Sequence, residues 1–337
     1  MNKTSVSRRN FLKGVGVGAG LAVMSGYFVE AKQNTLATRT FSLSFEHNMQ
    51  FDTAKVISLW SPLAMPHTFQ NPYNLNVTGN FSRYTLERHQ QTPMLHATWD
   101  DDSAGQKNLK ISFDLATYLT KNTLSVPDFD YSVANDRYIR TDGVIADIAQ
   151  SLVSLKDTDS NKARKIFEWV VSHIPFNDAE SVKGIRSIRQ NNGQEIMRGE
   201  DISASSVFVA MCRSVGIPAT EAFGLKLDAS RYGEKTHPIS TPQTYTRSAV
   251  KIDKNWVPND VILAIDLFHQ NQPLNRIMEV AFDQWDNNWA LLSFSRDVTL
   301  DNSRILLSTL QEAYGEIDGT KLSSYDMSHF QTTEALV

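Results

Sequence analysis

Residues 199–219 read GEDISASSVFVAMCRSVGIPA, and this stretch decides the fold. Its apolar residues recur at intervals of three and four, which predicts a helix with one apolar face. They are Ala204, Val207, Phe208, Met211 and Cys212. Asp201 stands at the predicted helix start, where Asp is among the best N-cap residues and stabilises by about 1 kcal/mol. Gly216 fits a C-terminal cap and Pro218 follows it, so the helix is predicted to end there.

The same stretch resembles the nucleophile helix of the transglutaminase-like family, a branch of the papain-like cysteine-enzyme fold. The family pattern is close to G-x-C-x-D-x-x-S-L-F-V-A-L-x-R-A-x-G-I-P-A-R, in which the nucleophilic Cys stands twelve residues before the Arg. Counting back twelve residues from Arg213 reaches Asp201. The resemblance therefore implies the fold of this family, and it implies that an acid has replaced the nucleophile.

A second stretch, residues 245–260, resembles the strand of the family that carries the catalytic His. The family reads approximately Q-H-C-R-A-E-F-Y-L, then a short turn, then G-W-V-P-V-D-P, whereas this chain reads YTRSAVKIDKNWVPND. The Trp-Val-Pro of residues 256–258 aligns, and Asp260 takes the position of the acid that orients the His. Arg247 then takes the position of the Arg, which places Tyr245 at the position of the His.

The replaced residues bear directly on the chemistry. Cysteine acyl transfer needs a thiolate that attacks, a His that carries the proton, and a group that orients the His. A carboxylate is a poor nucleophile toward amides, so Asp201 is interpreted mainly as a helix cap, with metal or cation binding and direct catalysis as the lesser alternatives. Tyr245, with an ordinary pKa of about 10, is a poor general base at neutral pH, and His237 falls in a Pro-containing stretch predicted to be a loop. Asp260 is interpreted equally as a strand-end carboxylate or as a site residue.

Other nucleophiles in the same region are weighed against structural roles. Cys212 lies roughly 16 Å from Asp201 along the helix axis, on the apolar face, where a free Cys usually behaves as a small apolar residue. Ser203, Ser205 and Ser206 form a fallback set, but no His is placed beside them. No HExxH, CxxC, Walker or GxSxG motif is present, and the eight His include no i, i+4 pair. We therefore predict no cofactor and no metal site.

The chain is predicted to be α+β, with a papain-like transglutaminase core, in which a helix packs on an antiparallel sheet, preceded by a β-sandwich-like domain. Short alternating segments between Asn, Asp, Gly and Pro clusters indicate strands within residues 36–125. Helical spacing begins near residue 141. Further strands are predicted at 219–227, 245–252, 255–258 and 288–295. The predicted domains are residues 32–135, the β-rich part, and residues 136–337, the core with its C-terminal extension.

Residues 1–31 are predicted to be a twin-arginine export signal outside the fold. Residues 7–13 read SRRNFLK, which is close to the twin-arginine consensus, and a Gly- and Ala-rich apolar run follows. That run is short for a membrane-spanning helix. Residues 29–31 end in a small-x-small pattern of the kind that signal peptidase accepts. We therefore expect export to the periplasm, or secretion, with no membrane attachment after cleavage.

Charge and cysteine content exclude other classes. The net charge is −4, and without the predicted signal the chain keeps 29 Lys+Arg against 36 Asp+Glu, a net charge of −7. Because no basic stripe is present, nucleic-acid binding is not expected. The single Cys excludes an intramolecular disulfide framework.

Two functional hypotheses from different classes follow. The first is a pseudoenzyme, a papain-like fold kept as a binding module for a peptide, a protein or a cell-wall fragment. The second is an active amide hydrolase or acyl transferase whose nucleophile is relocated to Cys212 or to a Ser. The paired replacement at the Cys and His positions favours the first. The identity of the ligand and the oligomeric state stay open.

Overall fold

The computed structural model describes residues 4–7, 38–51, 56–89, 92–100, 105–121, 123–126, 137–180, 183–227, 244–322 and 327–336. The described residues contain five α-helices and antiparallel strand pairs, which confirms the predicted α+β class. Contacts along the chain group into two compact units. Unit 1 comprises residues 1–118, 225–244 and 288–337, and unit 2 comprises residues 119–224 and 245–287.

Unit 1 is built from β-strands. They are β1 (Thr4–Ser7), β2 (Thr38–Phe51), β3 (Ile57–Pro62), β4 (Gln70–Gly79), β5 (Arg83–His89), β6 (Thr92–Trp99), β7 (Gly105–Tyr118), β15 (Trp289–Ser293), β16 (Val298–Thr299), β17 (Leu306–Leu307), β18 (Tyr314–Ile317), β19 (Thr320–Lys321) and β20 (Met327–Leu336). One sheet has the strand order β20-β2-β7-β4, and another has the order β1-β5-β6-β3-β18-β19. Buried and half-exposed residues alternate along β2 from Phe41 to Met49, as expected for a strand with one face on a core.

These two sheets share one hydrophobic core. The cluster contains Phe41 and Ile111 from the first sheet and Leu59 and Leu95 from the second. Because two antiparallel sheets that bury facing side chains in one core form a sandwich, the predicted β-sandwich-like domain is confirmed.

The C-terminal part of the chain completes unit 1. β18 pairs with β3, so that Tyr314 lies opposite Trp60, and β20 pairs with β2 along its length. The buried side chain of Gln70 donates to the carbonyl oxygens of Met65 and Leu291 at 2.6 and 2.8 Å and accepts the N–H of Leu291 at 2.8 Å. The predicted domain boundaries differ from this arrangement, because they assigned the C-terminal extension to the core. Periodicity identifies a strand but not the sheet that it joins.

β1 lies inside the predicted export signal. It pairs with β5, with Thr4 opposite Leu86, so residues 4–7 depart from the expectation that residues 1–31 lie outside the fold. An edge strand such as β5 offers unpaired backbone groups to any extended segment nearby. Arg8, Arg9 and the apolar run after them lie outside the described residues. None of the helices in the described ranges is long and apolar enough to cross a membrane.

Unit 2 holds the helices. They are α1 (Val144–Leu152), α2 (Asp159–His173), α3 (Ala204–Ser214), α4 (Val261–His269) and α5 (Leu274–Ala281), with a 3-10 helix at Phe176–Asp178. Its strands are β8 (Thr120–Lys121), β9 (Ile185–Arg189), β10 (Glu195–Glu200), β11 (Ala219–Lys226), β12 (Thr244–Ile252), β13 (Asn255–Asn259) and β14 (Gln284–Trp285). The neighbouring strands β13, β12 and β11 belong to one sheet, and β12 and β13 run antiparallel.

α3 is the central helix of unit 2. It contacts α1, α2 and α4, and every residue from Ala204 to Arg213 is buried. The prediction of a single apolar face is therefore too narrow, since a helix buried on all sides is a core helix. Its polar side chains are buried together with partners. Arg213 Nε donates to the Ala219 carbonyl at 2.8 Å, and Ser205 Oγ donates to the Thr246 carbonyl in β12 at 3.0 Å.

Candidate functional site

Tyr245 and Asp260, two of the three predicted catalytic positions, are in direct contact. Tyr245 lies on β12, and Asp260 follows β13, the strand paired with β12. The Tyr245 hydroxyl donates to Asp260 Oδ1 at 2.8 Å, and the two residues are only 7% and 2% exposed. This contact is the one that a catalytic His makes with the acid that orients it. The strand pair therefore supplies the geometry that the resemblance implies.

The Asp260 carboxylate is engaged by other structural partners as well. Oδ1 also accepts the backbone N–H of Leu263 at 3.0 Å, which makes Asp260 the N-cap of α4. Oδ2 lies 2.8 Å from Nε of Arg247. Both oxygens are thus bound by groups that hold the fold together, so the interpretation as a structural carboxylate applies to Asp260.

Arg247 is the centre of a buried charge network that the sequence analysis missed. It is 3% exposed. Its Nη2 lies 2.8 Å from Asp286 Oδ1, and its Nη1 donates to the Asp286 carbonyl at 3.2 Å. Burial by itself lowers the pKa of Arg247, but Asp286 and Asp260 together raise that pKa above its usual value. The guanidinium therefore stays charged and is compensated by two carboxylates. The sequence did contain a signal for this network, because Arg247 is the one charged residue in the run 244–250.

The protonation of Tyr245 is set by its surroundings. Burial raises the pKa of Tyr245 well above its ordinary value, and the Asp260 carboxylate raises it further. The phenol is therefore protonated at neutral pH and acts as a hydrogen-bond donor. A general base must instead accept a proton near the working pH, so Tyr245 cannot take over the role of the His.

Asp201 lies in the loop before α3 and does not cap that helix. The N-cap is Ser203, which has an extended backbone, and Asp201 has a left-handed backbone with φ of 51°. Its Oδ1 accepts the N–H of Gly184 at 2.9 Å, and its own N–H donates to the Gly184 carbonyl at 3.1 Å. The prediction that Asp201 is the cap is wrong, because a cap residue needs a β-region backbone. Asp is among the few non-Gly residues that adopt the left-handed conformation readily.

The serines at the start of α3 form hydrogen bonds inside unit 2. Ser203, Ser205 and Ser206 are fully buried. Ser206 Oγ accepts the N–H of Ser203 at 2.9 Å and lies 2.5 Å from Glu221 Oε1, to which it donates. These contacts explain the side chains of Ser205 and Ser206 as parts of the helix start. Glu221 was not singled out from the sequence, although a lone carboxylate in the predicted strand 219–227 was a signal for a buried partner.

Cys212 is a core residue, as predicted. It is fully buried, and burial raises the pKa of its thiol. Because the thiolate is the reactive form, a buried thiol of this kind is inert. His237 lies outside the described residues. Within the ranges that are described, no group of three or more His, Cys, Asp and Glu side chains could hold a metal ion.

The chain matches a known protein family over the region that contains these residues. Residues 146–261 match the family described as Transglutaminase-like superfamily. Residues 146–261 form a transglutaminase-like domain. The three predicted catalytic positions, Asp201, Tyr245 and Asp260, all fall inside this domain.

The chain is also similar to two proteins over most of its length. An uncharacterized protein of Haemophilus influenzae is 24% identical over 331 residues, which cover 87% of this chain and 88% of that protein. The crystal structure of a Cytophaga hutchinsonii protein, provisionally described as a cysteine protease, has a TM-score of 0.53 with this chain at 13% identity, and covers 89% of this chain and 92% of that one. At this identity the second similarity concerns the fold alone, and it supports a papain-like architecture around the transglutaminase-like domain.

Proposed function

We propose that this protein is an exported, catalytically inactive transglutaminase-like protein that serves as a binding module for a peptide, a protein or a cell-wall fragment. The observation that carries the proposal is that both carboxylate oxygens of Asp260 already have partners within the chain. Its two oxygens are bound by Tyr245, by Arg247 and by the N–H of Leu263. An acid held in this way stabilises the start of α4 and a buried cation instead of orienting a base.

The opposite end of the triad supports the same proposal. The backbone and carboxylate of Asp201 are bound to Gly184, and a carboxylate is in any case a weak nucleophile toward amides. A relocated nucleophile is not favoured, because Cys212, Ser203, Ser205 and Ser206 are fully buried. Acyl transfer needs an accessible nucleophile next to a base, and these residues do not meet that condition.

Turnover is the direct test of inactivity. The full chain is incubated with a fluorescent primary amine and a glutamine-containing peptide, and separately with a quenched peptide substrate for amide hydrolysis. We expect no product above the buffer rate. The variants Asp201→Asn and Tyr245→Phe serve as matched controls, since both nearly conserve side-chain shape. Turnover by the wild type that both variants lose would overturn the proposal.

Thiol labelling tests the relocated nucleophile separately. We expect iodoacetamide at neutral pH to leave Cys212 unmodified in the native chain and to modify it in urea, because unfolding exposes the thiol. Mass spectrometry of the intact chain counts the modification. Rapid labelling of the native chain would show an accessible thiolate and would reopen the hypothesis of an active cysteine enzyme.

Binding is tested with defined ligands. Titration calorimetry with soluble cell-wall muropeptides and with short unmodified peptides measures whether either class binds. We expect saturable binding of at least one class, and binding of neither would remove the support for a binding module.

Export rests on residues 7–13 and is tested on its own. In a bacterium that has the twin-arginine pathway, Arg8→Lys combined with Arg9→Lys is expected to shift the protein from the periplasmic to the cytoplasmic fraction. The single substitution Lys3→Gln, outside residues 7–13, is the control. An unchanged distribution of the double variant would argue against this route.

A further inference from the structure

Unit 2 contains a cavity of about 640 Å³ whose lining includes neither Tyr245 nor Asp260. It lies among the C-terminal end of α2, the 3-10 helix and the C-terminal end of α4. Its volume is in the range of small-molecule sites, about 300–1,000 Å³. The lining contains no Asp, Glu, Lys or Arg, although these residues make up 21% of the chain. A ligand is therefore not held there by a salt bridge.

Aromatic rings form part of the lining. Phe176 and Phe268 both border the cavity and are 43% and 42% exposed, so both side chains are accessible to a ligand. Phe176 keeps this exposure although it stacks on His269, with ring centroids 5.1 Å apart and an interplanar angle of 13°. The face of an aromatic ring carries partial negative charge and attracts cations.

The helix ends that border the cavity also contribute negative electrostatic potential. The last residues of α2 and of α4 both contribute to the lining. The C-terminal end of a helix carries a partial negative charge because the dipoles of its peptide groups are aligned along the axis. Two helix ends and two aromatic rings thus favour a positively charged group in this cavity, by two independent physical effects.

The hydrogen bonds already made at the helix ends bear on whether a primary or a quaternary ammonium group fits the cavity. Asn191 donates its backbone N–H to the carbonyl of His173 and its side-chain amide to the carbonyl of Ser172, each at 2.9 Å. The N–H of Asn271 donates to the carbonyl of Phe268 at 3.0 Å. The carbonyls of Ser172, His173 and Phe268 are therefore already bonded, which leaves fewer acceptors for an ammonium group. A primary ammonium group needs acceptors for three N–H donors, whereas a quaternary ammonium group needs none.

We propose that this cavity binds the trimethylammonium group of a quaternary ammonium ligand against Phe176 and Phe268. The site is separate from the Tyr245–Asp260 pair, so it does not depend on whether that pair is inactive. A free solute and a choline lipid headgroup share this chemistry.

The charge requirement is tested with matched probes. Titration calorimetry on the full chain compares choline with 3,3-dimethyl-1-butanol, in which carbon replaces the charged nitrogen, and with butylammonium. We expect choline to bind about tenfold or more tightly than either, given the strength of cation–π contacts at partly desolvated sites. Equal binding of the neutral alcohol would identify a plain apolar pocket, and tighter binding of butylammonium would identify a hydrogen-bonding amine site. Either result, or no binding of choline, overturns the proposal.

Variants locate the site. Phe176→Leu and Phe268→Leu keep apolar bulk but remove the aromatic face, so each is expected to weaken choline binding about three- to tenfold without changing the binding of the alcohol. Leu155→Ala is the control, because Leu155 is 106% exposed and lies outside the lining. Unchanged choline affinity in both Phe variants, with unchanged thermal midpoints, would overturn the assignment to this cavity. If a variant fails to fold, the proposal is still tested by comparing choline, the neutral alcohol and butylammonium on the wild-type chain.

Vesicles distinguish the two sources of the ligand. Flotation with phosphatidylcholine vesicles, with phosphatidylglycerol vesicles as the control, measures recognition of a headgroup. Binding to the first alone, abolished by free choline, identifies a lipid. Absence of vesicle binding together with binding of free choline identifies a solute.

Discussion

The structure places the two ends of the predicted catalytic arrangement in different ways. At the base-and-acid end, formed by Tyr245, Arg247 and Asp260, the two predicted catalytic positions, Tyr245 and Asp260, are in direct contact. At the nucleophile end, formed by Asp201 and the start of α3, the backbone itself departs from the expected helix start, since Asp201 is left-handed and Ser203 is the cap. At one end the two predicted positions are in contact, and at the other the helix begins two residues after the predicted position.

Burial explains this difference. Asp260 is almost completely buried, and a buried carboxylate without partners is costly. A donor at position 245 adds to the partners that Arg247 and Leu263 supply, and a protonated Tyr is such a donor. Asp201 is only half-buried, so water can satisfy its carboxylate and the loop is freer to change. The comparison predicts that substitutions at the base-and-acid end affect stability more than those at the nucleophile end.

The largest effect is expected for Asp260→Asn. This variant keeps a capping oxygen for α4 but removes the charge that compensates Arg247. Breaking a buried ion pair costs about 3 kcal/mol of unfolding free energy, at the low end of the usual range because Asp286 still compensates part of the charge. Urea denaturation measures the change. Asp286→Asn is the matched control, with an expected loss of about 1 kcal/mol, because that carboxylate is 42% exposed. Equal losses in the two variants would contradict the central role of Asp260.

Ser206→Ala is expected to come next. It removes the acceptor of the Ser203 N–H and the donor to Glu221, both in the buried start of α3. Leaving buried polar groups unsatisfied costs about 2 kcal/mol. Ser205→Ala, which removes only the bond to Thr246, is expected to lose about 1 kcal/mol. If Ser206→Ala is no worse than Ser205→Ala in urea denaturation, the link to Glu221 contributes little.

The variant Tyr245→Phe is expected to change how the unfolding free energy depends on pH. At neutral pH the lost hydrogen bond is expected to cost about 1 kcal/mol. Because the folded-state pKa of Tyr245 is raised, its stabilising contribution is complete below the unfolded pKa of about 10 and is lost as the pH rises above it. The unfolding free energy of the wild type should therefore fall more steeply above about pH 10 than that of the variant. Denaturation at several alkaline pH values measures the two slopes, and parallel slopes would show that Tyr245 ionises normally in the folded protein.

The smallest effect is expected for Asp201→Asn. Asn also adopts the left-handed backbone, and its amide oxygen can still accept the N–H of Gly184. The change in unfolding free energy should stay within about 0.5 kcal/mol. Asp201→Val is the informative partner, because a β-branched residue is strained at positive φ. A loss for Asp201→Asn as large as that for Asp260→Asn would remove the contrast between the two ends.

Much of the fold could be predicted from the sequence because its signals are local. The helices α2 and α3 and the strands β11 to β13 follow from periodicity and from their Gly, Pro and Asn boundaries. The domain boundaries could not be predicted in this way. β18 and β20 complete the sheets of unit 1 through pairings with β3 and β2, more than 200 residues earlier in the chain. Such pairings depend on which hydrophobic faces pack together. The periodicity within one strand does not indicate which other strand it pairs with.

The sequence by itself led to the prediction that Asp201 and Tyr245 stand where the family has its Cys and His, since an alignment of motifs needs only residue order. It also determined that Cys212 belongs to an apolar stripe. Only the tertiary structure decided what the remaining acid does. Asp260 is bound by Tyr245, Arg247 and the start of α4 because strand pairing brings these groups together in a buried place. A buried carboxylate without partners is costly, and which groups lie close enough to bind Asp260 is a property of the fold.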